Sequence, residues 1–164
     1  MTQPQLRLDR RAFLLASGAV LVSASPAFAA DPFAGSPFRK LTEAEWRKRL
    51  SPDAFEVLRH EGTERPGTSP LLKEHRKGVF ACAGCDLPLF RSEWKFDSGT
   101  GWPSFYTAIK GALGKKTDLK IGLPRTEYHC ARCLGHQGHV FNDGPRPTGL
   151  RYCNDGVALK FVPA

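Results

Sequence analysis

Four of the five cysteines in this chain form two C-x-x-C knuckles, Cys82-Ala83-Gly84-Cys85 and Cys130-Ala131-Arg132-Cys133. No other feature constrains the fold as tightly. Two residues between cysteines make a turn that aims both sulfurs at one point, and Gly84 eases that turn in the first knuckle. Four thiolates form a closed tetrahedral set suited to zinc, with no position left for water or substrate, so the ion implied is structural. Iron takes the same ligands. Two disulfides or a redox C-x-x-C are the competing arrangement in an oxidising compartment, but paired knuckles favour a metal. His129 and His136 are not needed as ligands once four sulfurs fill the site. The 44 residues between Cys85 and Cys130 exceed the spacing of a simple zinc ribbon and leave room for a catalytic insertion.

The N-terminus reads as an export signal rather than as part of the fold. Arg10-Arg11 precedes an apolar run through Val22, and Ala27-Phe28-Ala29 forms an A-x-A cleavage site. This is the pattern of a twin-arginine signal peptide over residues 1–29. The run is too short and too rich in Ala, Ser and Gly to serve as a membrane anchor. The expectation is therefore a periplasmic or otherwise exported protein with no stable membrane insertion after cleavage. The formal net charge is +8, of which Arg7, Asp9, Arg10 and Arg11 contribute +2. The remaining basic residues are scattered, without the stripe that nucleic-acid binding requires, and read as a solvated surface.

Residues 30–40, with Pro32, Gly35 and Pro37, read as a linker to one domain over 41–164. Thr42 can N-cap a helix running to about Leu50, with Glu43 and Glu45 in its first turn. Ser51-Pro52 starts a second, ending near Glu61-Gly62, where glycine suits the C-terminal cap. Beyond Gly67 the segments shorten. Gly78–Ala81, Leu87–Phe90, Leu119–Gly122 and Val157–Phe161 read as strands, the last with Val157, Leu159 and Phe161 on one face. Short helices followed by many short strands predict a mainly antiparallel β domain.

The fifth cysteine, Cys153, stands apart in Arg151-Tyr152-Cys153. With Trp102 in Gly101-Trp102-Pro103, and His136 and His139 in His-Gln-Gly-His, it can build one pocket. Cys153 would be the nucleophile, Arg151 and the histidines would lower its pKa, Trp102 would form an apolar wall, and a histidine could protonate a leaving oxygen. Taken singly, each residue has an ordinary structural explanation: a buried small thiol, surface histidines, a core tryptophan.

Together these segments resemble the methionine sulfoxide reductase B family, which reduces the R epimer of methionine sulfoxide. The resemblance rests on Cys82-Ala83-Gly84-Cys85 with Pro88-Leu89-Phe90, on Lys95-Phe96-Asp97-Ser98-Gly99-Thr100-Gly101-Trp102-Pro103-Ser104-Phe105, on Gly138-His139-Val140-Phe141 and on Arg151-Tyr152-Cys153. It implies two small antiparallel sheets with short N-terminal helices and a structural zinc on Cys82, Cys85, Cys130 and Cys133. It implies that Cys153 attacks the sulfoxide sulfur of an oxidised protein or peptide, giving methionine and a sulfenic acid. Trp102 would pack on the substrate methyl group, Phe141 would add to the apolar wall, and His136, His139 and Arg151 would organise the site.

Three departures matter. Thr100 stands where many members carry a second, resolving cysteine, so the expected reductant is an external thiol, thioredoxin-like or small. Asp155 stands where the family carries Asn; an ionised carboxylate only accepts hydrogen bonds and opposes a thiolate beside it. Gln137 replaces a commonly apolar residue and reads as a surface change. These departures keep two other readings open, a non-enzymatic zinc-knuckle binding module and a related enzyme acting on another sulfur substrate. An isolated thiol beside Trp102 and His139 argues for chemistry over binding.

Overall fold

A computed structural model describes residues 31–164 of the protein; the export signal read in residues 1–29 lies outside them. Residues 31–40, expected as a linker, contain a 3-10 turn over Pro37–Lys40, and Phe33 and Phe38 pack against the core. Helix α1 covers Glu43–Arg49. The Thr42 hydroxyl accepts the Glu45 N–H, and the Glu45 side chain reaches back to the Thr42 backbone, completing a capping box. Helix α2 covers Pro52–His60 with Ser51 as N-cap, and it buries Ala54, Phe55, Val57 and Leu58. Its C-terminal cap is Glu61, not Gly62, at φ 57°. A left-handed non-glycine residue is uncommon; here the Glu61 carboxylate is held by Lys116 and Lys120. Among the described residues no helix is long and apolar enough to cross a membrane.

The strands are β1 (Gly78–Cys82), β2 (Pro88–Arg91), β3 (Lys95–Phe96), β4 (Ser104–Phe105), β5 (Leu113–Asp118), β6 (Arg125–Cys130), β7 (His136–Phe141), β8 (Arg151–Asn154) and β9 (Leu159–Pro163). They form a three-stranded sheet ordered β2-β1-β9 and a six-stranded sheet ordered β3-β4-β8-β7-β6-β5, with antiparallel neighbours throughout. The mainly β, two-sheet architecture agrees with the expectation. Aromatic rings join the sheets: Phe90 of β2 stacks on Phe105 of β4 at 4.2 Å, and Phe80 of β1 meets Phe105 edge-on at 5.0 Å. Tyr128 and Tyr152 extend this core across the larger sheet.

Two strand expectations are corrected. Leu119–Gly122 is the turn between β5 and β6: an Asp118 carboxylate oxygen accepts the Lys120 N–H, Gly122 takes φ 79°, and Leu119 and Ile121 face solvent. Val157 lies in a 3-10 turn over Gly156–Ala158, so the strand starts at Leu159. Ala158 is buried against the expected alternation, because the turn rotates it inward while its carbonyl accepts the Ala83 N–H.

Candidate active site and metal centre

Cys82 ends β1 and Cys130 ends β6, so the two knuckles bring the two sheets to one point. All four ligand sulfurs are buried and lie within 4.8 Å of one another. Cys82 Sγ is 3.6 Å from Cys133 Sγ, and Cys85 Sγ is 3.5 Å from Cys130 Sγ. A tetrahedral zinc with Zn–S near 2.3 Å separates its sulfurs by about 3.8 Å. The donor set and spacing therefore fit one structural zinc, and the ion accounts for the long spacing between knuckles by joining two sheets. Gln137, expected at the surface, is fully buried and donates to Cys82 Sγ at 3.4 Å. A hydrogen bond to a metal thiolate suits a buried amide where an apolar side chain would only pack.

The strand register assembles the second site. Cys153 of β8 is opposite Ser104 of β4 on one side and His139 of β7 on the other, and Phe141 is opposite Arg151. Side chains alternate faces along a strand, so Arg151 and Cys153 share the outer face with His139 and Phe141, while Tyr152 and Asn154 point into the core. Gly138 lets β7 approach β8 this closely: at φ 150°, any Cβ there would lie 2.0 Å from the Cys153 carbonyl oxygen. Trp102 enters from the loop before β4. Gly101, at φ 90°, presses on Pro66 and Gly67, and the Trp102 indole N–H donates to the Glu64 carbonyl at 3.1 Å.

The result is a cavity of about 300 Å³ whose walls include Trp102, His139, Phe141, Arg151, Cys153 and Asp155. Thr63, Thr100, Arg125, Gly138 and Asn154 complete the lining. His136 is not on the wall. It lies buried behind it, with Nδ1 3.1 Å from Glu127 and Nε2 3.8 Å from Asp155, and neither nitrogen makes a well-directed hydrogen bond. Burial lowers the His136 pKa against the pull of Glu127, which keeps the ring neutral.

His139 and Arg151 are each held by a carboxylate outside the expected set. His139 Nε2 is 2.8 Å from Asp118. The Lys120 N–H, His139 and Arg125 together hold the Asp118 carboxyl well below the usual range. Arg151 makes a bidentate pair with Asp143 at 2.8 and 2.7 Å and lies 4.3 Å above the Phe141 ring, a cation–π contact that fixes the guanidinium. Asp143 raises the Arg151 pKa. These partners are not readable from the sequence, since Asp118 lies 21 residues from His139 and nothing in its local pattern marks it. Arg125, on the same strand face as Glu127, could have been placed only by knowing the register of β6 against β7.

The thiol and the carboxyl are both set by burial. The expectation of a lowered pKa for Cys153 is corrected. Burial raises it, outweighing a hydrogen bond from Thr100 and the charge of Arg151, with Asp155 adding to the rise. Thr100 Oγ1 is 3.9 Å from Cys153 Sγ. Asp155, only 4% exposed, accepts the Glu64 N–H at 2.9 Å. Burial pushes its pKa up to about 7, with the nearby Glu64 carboxylate contributing in the same direction. The carboxyl can thus be protonated at neutral pH and act as a donor, which an always-ionised Asp cannot. Asn154 borders the cavity, but its amide is engaged in the core and not turned to a substrate. Its side chain accepts the Tyr128 hydroxyl at 2.9 Å and donates to the Asp155 carbonyl at 2.8 Å.

Known proteins bear on this site directly. Residues 50–163 match the SelR domain family. A peptide methionine sulfoxide reductase MsrB of Agrobacterium fabrum is 50% identical over 129 residues, covering 78% of this chain and 96% of its own. An enzyme of the same name from Thiobacillus denitrificans is 52% identical over 123 residues, covering 74% and 93%. One from Pseudomonas putida is 53% identical over 123 residues, covering 74% and 92%.

Proposed function

The chain belongs to the SelR-domain, methionine sulfoxide reductase B family, and from that premise we propose how its residues carry out the reaction. The protein is an oxidoreductase that reduces methionine-R-sulfoxide to methionine at the expense of thiols. The observation that carries the site assignment is the meeting of the isolated Cys153 thiol with Trp102, His139 and Arg151 on the walls of one cavity.

The substrate methyl group packs on Trp102, whose ring is fixed through Glu64, and Phe141 extends that apolar wall. The sulfoxide oxygen is directed toward Arg151, His139 and Asp155. Cys153 attacks the sulfoxide sulfur, its thiol proton leaves, and the oxygen gains a proton from the Asp155 carboxyl or from His139. The S–O bond to the substrate breaks as oxygen passes to the cysteine, giving Cys153 sulfenic acid and methionine. Cys153 is thereby oxidised by two electrons and the substrate reduced by two. Two external thiols then regenerate Cys153 and release water and a disulfide. Proton delivery is coupled to attack, because burial keeps the resting thiol protonated. His136 is a positioning residue behind Asp155. The zinc would be held by the four knuckle cysteines and supplies structure alone, since its coordination is closed.

A thioredoxin-like protein is the reductant we favour. Cys153 is the sole cysteine outside the metal set, and Thr100 beside it has no sulfur to form an internal disulfide. The Arg10-Arg11 motif, the apolar run and Ala27-Phe28-Ala29 support export of the folded domain to the periplasm, where the substrates are oxidised exported proteins. The metal-loaded protein, supplied with dithiothreitol and each sulfoxide epimer of a methionine peptide, should reduce the R epimer alone. Cys153→Ser should abolish that reduction. Failure of the folded protein to reduce either epimer would refute the reading.

A further inference from the structure

Five large hydrophobic side chains are strongly exposed among the described residues, and three crowd into one turn: Leu119 at 65%, Ile121 at 61% and Leu123 at 69%. A soluble surface rarely concentrates apolar side chains in this way without a use. The turn joins β5 to β6, and both of its ends are anchored at the cavity. Asp118, immediately before it, holds His139; Arg125, immediately after Pro124, lines the cavity. At 3.8 Å between successive Cα atoms, Leu119 and Leu123 lie within roughly 8 Å of these anchors and Ile121 within roughly 12 Å. The apolar turn therefore stands at the rim of the site.

Charges around the turn narrow its occupant. Lys120 pairs with Glu61, Lys116 with Glu61 and Glu127, and Arg125 with Asp118 at 2.5 Å. Each of these cations is already neutralised by a carboxylate of this chain. What remains to offer a partner is apolar surface, so an acidic partner gains little there.

Resting on the proposed reductase activity, we infer that the Leu119–Pro124 turn grips the apolar residues flanking a methionine sulfoxide in an opened polypeptide. Methionine is a core side chain. Its oxidation places a polar group among apolar neighbours and loosens the packing there, so the damaged segment presents those neighbours together with the sulfoxide. An extended substrate advances about 3.3 Å per residue. Residues two to four positions from the sulfoxide thus reach the turn while the sulfoxide occupies the cavity. Among polypeptide substrates, the preferred one therefore carries apolar residues on either side of the sulfoxide rather than the flanks of a polar surface loop.

The test uses the metal-loaded full chain and three substrates: N-acetyl-methionine-R-sulfoxide amide, an eleven-residue peptide with the sulfoxide centred among Leu and Val, and the same peptide with Ser and Gly flanks. The wild type should show a KM on the order of tenfold lower for the apolar peptide than for the polar one, a preference equivalent to about 1.4 kcal/mol. Leu119→Ser/Ile121→Ser/Leu123→Ser should erase that preference and leave turnover of the small amide unchanged. Ile121→Ser alone, less disruptive to solubility, should erase part of it. Val162→Ser, an exposed apolar position on the other sheet, should leave it intact. Equal KM values in the wild type, or a preference that survives the triple substitution, would overturn the inference while leaving the reductase reading standing. A wild-type dimer that dissociates in the triple variant would also overturn it, because the occupant would then be a second copy. Failure of the wild type to reduce even the small amide would sink both readings.

Discussion

Replacing Asp155 by Asn tests whether this chain carries a neutral acid beside Cys153. Asp155 is buried, with its pKa raised from 3.8 to about 7, first by desolvation. The groups that face it are Glu64, His136 and Cys153, and none is a cation that would stabilise its ionised form. In the unfolded chain the carboxyl ionises through 3.8; in the folded chain it resists until about 7. Its contribution to stability is thus fully present below pH 3.8 and is lost as pH rises through 7. A separation of about three pH units corresponds to a ceiling of about 4 kcal/mol. Roughly 2 kcal/mol of that is already lost at pH 5, and a further 2 to 3 kcal/mol disappears by pH 8. The amide introduced by Asp155→Asn keeps the shape, accepts the Glu64 N–H and has no charge to bury. The gain in stability of Asp155→Asn over the wild type should therefore grow by about 2 to 3 kcal/mol between pH 5 and pH 8, a difference in Tm on the order of 8 °C for a domain of this size. Urea titrations of both metal-loaded proteins across this range measure it, and every other titrating group largely cancels in the comparison. The same substitution removes a negative charge beside Cys153, so the pH midpoint for its alkylation by iodoacetamide should fall. A stability difference that does not change with pH would mean Asp155 is ionised throughout, and the argument for a neutral acid would fail.

Further outcomes bear on the thiol and the metal. After one equivalent of sulfoxide without reductant, the wild type should hold Cys153 as a sulfenic acid that dimedone traps. Thr100→Cys, whose side chain starts 3.9 Å from Cys153 Sγ at its hydroxyl, should instead form an internal disulfide visible as a two-dalton mass loss; no disulfide would show that the Thr100 loop cannot close the bond. One zinc per chain is expected by elemental analysis. Its removal by a strong chelator should cost on the order of 10 kcal/mol of folding free energy, enough to unfold a domain stable by about 5 to 15 kcal/mol, and far-UV circular dichroism reads that collapse directly. A chelated protein that kept its cooperative unfolding would contradict the structural role.

What the sequence conveys and what it withholds divide along the range of the interactions. The N-caps at Thr42 and Ser51 and the two knuckle turns are decided within four residues, and all are visible in the chain. Strands β5 to β8 are not legible there, although they carry the site. Lys115-Lys116-Thr117-Asp118 and Arg151-Tyr152-Cys153-Asn154 mix charge with apolar residues because their polar side chains meet partners brought by other strands or face the cavity: Lys116 reaches Glu127, Asp118 holds His139, and Arg151 and Cys153 line the cavity. Alternation is a guide only where one face is dry and the other wet. The turn at Leu119–Gly122 misleads in the opposite sense: its apolar residues look like a strand because they are hydrophobic, yet Asp118 and Gly122 bend the chain away from the sheet. Gln137 is polar and fully buried, and its partner is a metal thiolate 55 residues away. Its backbone carbonyl accepts the Asp155 N–H at 2.8 Å. One residue thus touches a zinc ligand through its side chain and the proposed acid through its backbone. The closed metal site can therefore matter to catalysis without taking part in it, by fixing the strand from which Asp155 is hung.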